Sequence, residues 1–226
     1  MARDNNPRAR QEYNLRRKQG NRDPADRILI VSEGSKTEPN YFTEIRRTLR
    51  LQTANICTIP SIGTCPLQVV RYAKEIFDEG HAKEKIKPKA FEKVYAVFDR
   101  DDHLRYNDAL VLAEEYKALE FKNDQKQVID FTAIASVPCF ELWLLIHFEN
   151  RHAAMHRNKV YSALNKHIPG YRKGDKGLYD KTQQYYERAK GFAELLAKQN
   201  SATDGTQLYT DMHTLVGLLK DLKKKA

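Results

Sequence analysis

Short apolar runs alternate with longer amphipathic stretches along most of this chain. Arg27 to Val31 is a short, mostly β-branched run, apolar from Ile28 on, of the kind that fills a parallel strand buried on both faces. It stops at Ser32-Glu33-Gly34. From Thr37 the spacing changes: Tyr41, Phe42, Ile45 and Leu49 lie on one helical face, with Pro39 in the first turn, where its missing N–H costs nothing. Ala54–Ile59 predicts a second strand and Leu67–Phe77 a second helix. The Lys-rich stretch Gly80–Glu92 predicts a loop. Val94–Phe98 is a third buried strand, followed by a helix over roughly Tyr106–Phe121. A fourth strand spans Ile129–Val137 and is broken by Pro138.

Strands and helices alternating at this length imply a parallel sheet covered on both faces. The pattern then changes. After the apolar segment Phe140–Phe148 no strand is predicted. Lys159–His167, Lys181–Lys198 and Met212–Lys223 read as helices, with a Gly-rich basic loop from Pro169 to Gly177. The expected organisation is a basic arm over 1–24, an α/β core over 25–150 and a helical extension over 151–226.

Composition narrows the class. The chain has 226 residues, 41% of them hydrophobic and 31% charged, as expected for a folded globular protein. No apolar run approaches the roughly 18 residues of a membrane span, and residues 1–25 contain no apolar leader segment. Three cysteines without CxxC spacing suggest neither a disulfide framework nor a zinc site. A cytoplasmic protein without a membrane partner is expected, and homo-oligomerisation stays open. The formal charge of +9 points to a polyanionic partner, nucleic acid first.

The candidate chemistry is acidic. Ligands of open α/β sheets bind outside the carboxyl ends of the strands. Glu33 follows the first strand there, and Asp99 and Asp101 follow the third. In extended backbone, residues i and i+2 point the same way, so the two aspartates are expected to converge. A single acid after a strand is ordinarily a polar loop residue. Three at the same sheet edge favour a hard cation, Mg²⁺ with Mn²⁺ as substitute, which prefers oxygen ligands. Glu38, near a helix start, is a candidate second ligand or simply a dipole partner. Asp102 and His103 extend the cluster. Glu141 interrupts an apolar run, so it must reach solvent, a cation or hydrogen-bond donors; His147 lies about 120° from it around a helix. Gly34-Ser35-Lys36-Thr37 lacks the upstream glycine of a Walker loop, which leaves Lys36 as a phosphate contact and not as part of an ATPase.

Ser32-Glu33-Gly34 after the first strand and Asp99-Arg100-Asp101 after the third resemble the two motifs of the Toprim fold, shared by topoisomerases, bacterial primases and OLD-type nucleases. More narrowly, the chain resembles the RloB-like family. The matching segments are Glu33–Glu38 with Tyr41-Phe42, Val97–Asp101, Pro138–Trp143, His147-Phe148 and Thr210–His213. This resemblance spans roughly residues 26–222. It implies a Toprim-like parallel sheet flanked by helices, with a helical C-terminal extension. It also implies an Mg²⁺-dependent nuclease acting on DNA or RNA in anti-phage defence, beside an AAA-type ATPase partner. Glu33, Asp99, Asp101 and Glu38 would be catalytic, with Glu33, Asp99, Asp101 and Asp102 on metal. Lys36, Arg100 and His103 would meet nucleic acid, while Glu141 and His147 would support the ligands from behind. The chain has no room for a topoisomerase's DNA-gating domain and no cysteines for a primase zinc module. The main alternative is a non-catalytic, nucleic-acid-binding or regulatory subunit of an ATPase-driven complex, with a nucleotide-binding signalling enzyme as a third option.

Overall fold

The computed structural model describes residues 26–51, 56–62 and 65–225, with side chains to residue 223. The basic arm predicted over 1–24 lies outside the described residues. So do Ala54 and Asn55 of the second predicted strand.

Five strands form one sheet in the order β2-β1-β3-β4-β5. Strands β1 (Ile28–Ser32), β2 (Ile56–Pro60), β3 (Lys93–Asp99) and β4 (Asp130–Val137) are all parallel. The chain passes from β1 outward to β2 and then returns to the other side of β1, so β1 and β3 flank the point where winding reverses. Their register pairs Ser32 with Val97, and Asp99 pairs with Ser136 on β4.

Successive side chains of a strand point to opposite faces, and both faces here are covered, which is why the strands read as unbroken apolar runs. Leu29, Val31, Val94, Ala96 and Phe98 pack under α2 (Pro66–Glu79) and α3 (Tyr106–Ala118). Ile28, Ile30, Tyr95, Val97 and Ile134 face the other way, under α1 (Thr37–Leu49) and all the later helices. These are α4 (Glu141–Leu145), α5 (Arg157–His167), α6 (Leu178–Thr182), α7 (Tyr186–Gln199) and α8 (Met212–Lys225). Residues 28 to 31 are fully buried, and burial of each such aliphatic side chain stabilises by about 1.5–3 kcal/mol. The late helices share one apolar cluster with α1 and the sheet, from Val160 to Leu222.

Four local expectations change. The helix predicted to Phe121 ends at Ala118, because Glu120 turns into left-handed backbone (φ 47°) and Phe121 folds back to place its ring on Tyr116. The single helix expected over Lys181–Lys198 is divided by a 3₁₀ turn, Gln183–Tyr185, between α6 and α7. The apolar segment after Pro138 contains a one-turn helix, α4, whose Trp143 indole N–H donates to the Tyr41 hydroxyl at 2.9 Å and ties it to α1. A fifth strand, β5 (Tyr209–Thr210), pairs antiparallel with Ser136 and Val137 where no strand was expected. Two residues carry no periodicity from which a strand can be read. Among the described residues no helix is long and apolar enough to cross a membrane.

Candidate active site

The reversal between β1 and β3 opens a crevice at the carboxyl ends of the strands, where open α/β sheets bind ligands. The Glu33 amide donates to Val97 O at 2.9 Å and extends the pairing of β1 with β3 by one residue. Its carboxylate then crosses the crevice. Oε2 accepts the Asp99 amide at 3.2 Å, and Oε1 lies 2.8 Å from His103 Nε2.

Asp99 is the last residue of β3 and is buried. Asp101 converges with it, though not through continued extension of the strand. The Arg100 amide still pairs with Ser136 O, but Asp101 adopts left-handed backbone, φ 35°, with its amide on Pro138 O at 2.8 Å. An aspartate tolerates that conformation better than most residues. The turn is clamped by Arg100 itself, whose Nη1 donates to Asp101 O (3.2 Å) and His103 O (3.0 Å) while the guanidinium lies over the Tyr106 ring.

Glu38 enters from the first turn of α1 and Glu141 from the start of α4, with 5% and 2% of their surface exposed. Gly34 lets the Glu38 carboxyl approach closely: a Cβ there would overlap all three of its atoms and displace it from this position. The Tyr171 hydroxyl donates to Glu141 Oε1 at 2.7 Å. A cleft of about 300 Å³ results, lined by five carboxylates (Glu33, Glu38, Asp99, Asp101 and Glu141), the 34–37 turn and Lys173.

A family model described as RloB-like protein matches residues 28–219 of this sequence. The chain belongs to the RloB-like family. Comparison with curated proteins and with solved structures returned no match. Every acidic residue of the cleft lies inside the matched span of this RloB-like protein.

Electrostatics set the character of the RloB-like cleft. Burial pushes Asp99 well above the usual carboxylate range, and repulsion from Glu38, Glu141 and Glu33 adds to it. Glu38 is raised to about 7, first by burial and then, against its own backbone amide, by Glu141. Burial also raises Glu33, opposed by the Asp99 amide and His103. Lys173 stays charged above its ordinary range: burial works against its charge, but the Tyr161 side chain, Glu141 and Asp99 outweigh it. Asp101 Oδ1 is buried without a hydrogen-bond donor among the described residues, and an orphaned buried acceptor of this kind calls for an explanation.

An all-oxygen donor set with surplus negative charge suits a hard cation such as Mg²⁺ or Mn²⁺. Among the described residues, no group of three or more Asp, Glu, His or Cys side chains is arranged to hold a metal ion by itself. A cation here would need water and substrate oxygens beside the carboxylates to complete its shell.

Of the other expected residues, Lys36 lines the cleft at its rim, while Asp102, Arg100 and His147 stand outside it. Asp102 is largely exposed and faces Arg157 at 3.5 Å. Arg100 is spent on its own turn. Lys36 is exposed on the rim, packed against Gly174. His147 is buried in the core, Nδ1 against Trp143 O at 2.8 Å, where burial lowers its pKa to about 4. The late segment Thr210–His213 makes the junction of β5 and α8, with the Asp211 amide on Ala135 O.

Sequence reasoning missed Lys173 and Arg157. Lys173 belongs to the Pro169–Gly177 loop, read only as a basic connection; Arg157 is the first residue of α5. The loop docks on α1 through the Thr37 hydroxyl, which accepts the Gly174 amide at 2.9 Å, and through Asn40 Nδ2, which donates to Gly174 O at 2.9 Å. Arg157 Nη1 meets Asp101 Oδ2 at 2.9 Å.

Proposed function

We propose that this RloB-like protein is a divalent-cation-dependent phosphodiesterase, a nuclease of Toprim type acting on DNA or RNA. The observation that carries this reading is the gathering of five carboxylates around one cleft at the β1–β3 reversal, one of them with a buried oxygen that no donor among the described residues satisfies. Asp99 and Asp101 would hold Mg²⁺ with Glu33 close by, and Mn²⁺ would substitute. When bound, the ion supplies Lewis-acid polarisation of a phosphoryl oxygen.

The chain's own groups account for the remaining chemistry. Glu33, 2.8 Å from His103, is placed to take a proton from an attacking water, and partly exposed His103 gives that proton a route to solvent. Lys173 remains cationic beside the acids and is available to offset charge on the phosphoryl oxygens. The net charge of +9 supports a polyanionic substrate. Anti-phage defence with an AAA-type ATPase partner extends this reading on the family resemblance.

Calorimetric titration of Mn²⁺ into the wild type and Asp99→Asn, paired with cleavage assays on DNA and RNA, tests the reading. Wild-type binding that disappears in the variant, together with cleavage, is expected. Equal Mn²⁺ binding by the two proteins would remove the metal from this cleft and the nuclease reading with it.

A further inference from the structure

The two oxygens of Asp101 have different surroundings. Oδ2 takes the Arg157 guanidinium at 2.9 Å, whereas Oδ1 is buried and meets no donor among the described residues. The main chain beneath is fixed in left-handed backbone by the Asp101 amide on Pro138 O and by Arg100 Nη1 on Asp101 O. Rotation about the side-chain bonds is therefore the freedom left to this carboxylate. Left to itself, it would turn Oδ1 toward water and escape the cost of an unsatisfied buried acceptor, about 1–3 kcal/mol. Arg157 opposes that rotation. It stands at the first position of α5, outside the cleft lining, and its second nitrogen lies 3.5 Å from Asp102 Oδ2, so the guanidinium spans both acids of the turn.

We infer that Arg157 is the positioning residue of the cation site: by holding Asp101 Oδ2 it presents Oδ1 to the cleft as a single-oxygen ligand. This rests on the reading of the cleft as a cation site. Ligating carboxylates are commonly held in this way through their second oxygen, and losing such a partner weakens metal affinity by about 10–100-fold. An exposed Arg–Asp pair that served only the surface would contribute about 0–1 kcal/mol to stability and leave cation affinity untouched. Arg157 would thus bring α5 into a site whose acids come from the ends of β1 and β3 and the starts of α1 and α4.

The experiment is Mn²⁺ titration, followed calorimetrically, of the wild type, Arg157→Ala and Arg157→Lys, with thermal unfolding of each as a control. Arg157→Ala is expected to bind Mn²⁺ about 10–100-fold more weakly, with little change in unfolding temperature. Arg157→Lys should recover much of the affinity, because one nitrogen makes the 2.9 Å contact. Unchanged affinity in Arg157→Ala would overturn the positioning role while leaving the cation site standing. Tighter binding would also overturn it, by making Arg157 a competitor of the cation. Absence of Mn²⁺ binding by the wild type would overturn the reading of the cleft, and the role of Arg157 with it.

Discussion

Glu38 keeps its proton to about pH 7 in the folded protein, against an ordinary value near 4.5. Between those limits the folded state holds a proton that the unfolded chain has released. Its contribution to stability is therefore full below the lower limit and is lost as pH rises through the upper one. Buried His147 works the other way, since it stays neutral down to about 4 while the unfolded chain protonates near 6.5. Comparison with Glu38→Gln cancels the histidine, which both proteins retain. Without divalent cation, wild-type stability relative to Glu38→Gln should fall from about pH 4.5 to beyond pH 7, with a slope of at most about 1.4 kcal/mol per pH unit. Urea unfolding across that range reads it. A flat difference profile would mean that Glu38 titrates as an ordinary surface carboxylate.

Elements explain which parts of the site could be read from the sequence. Glu33, Asp99 and Asp101 were legible because strands buried on both faces announce themselves, and the residue after such a strand falls at the ligand-binding edge. The geometry of Asp101 was not legible: its left-handed turn depends on Pro138 O and Arg100, partners that no local pattern signals. Lys173 and Arg157 were missed for a related reason. A loop residue and a helix's first residue have no periodicity, and only tertiary docking sets their direction. Glu44 on α1 accepts the amides of Gly177 (2.5 Å) and Tyr179 (2.9 Å), fastening the end of the 169–177 loop and the start of α6. Glu44→Ala should cost about 1–2 kcal/mol, as loss of a helix N-terminal acceptor does, and should speed protease cleavage within 169–177. Unfolding midpoints and limited proteolysis measure the two effects, and an unaltered midpoint would show the contact to be dispensable.

The whole molecule combines a net charge of +9 with an acidic cleft. Attraction of a polyanion therefore has to come from the surrounding surface, while the cleft repels it unless a cation is present. Nucleic-acid affinity, followed by fluorescence anisotropy, should fall about ten-fold or more between 50 and 200 mM salt. Asp99→Asn should keep the same salt dependence, because Asp99 is buried and is not one of the cations whose pairing with phosphate releases counterions. Salt-independent affinity would exclude Lys and Arg side chains as the contact. The division of the site between the sheet and the late helices also bears on biosynthesis. A ribosome adds about 5–20 residues per second, so on the order of ten seconds separate the emergence of Asp101 from that of Lys173. During that interval the nascent chain carries Glu33, Glu38, Asp99 and Asp101 without Lys173, and for most of it without Arg157, so the activity proposed above would be deferred until those two residues have emerged and docked.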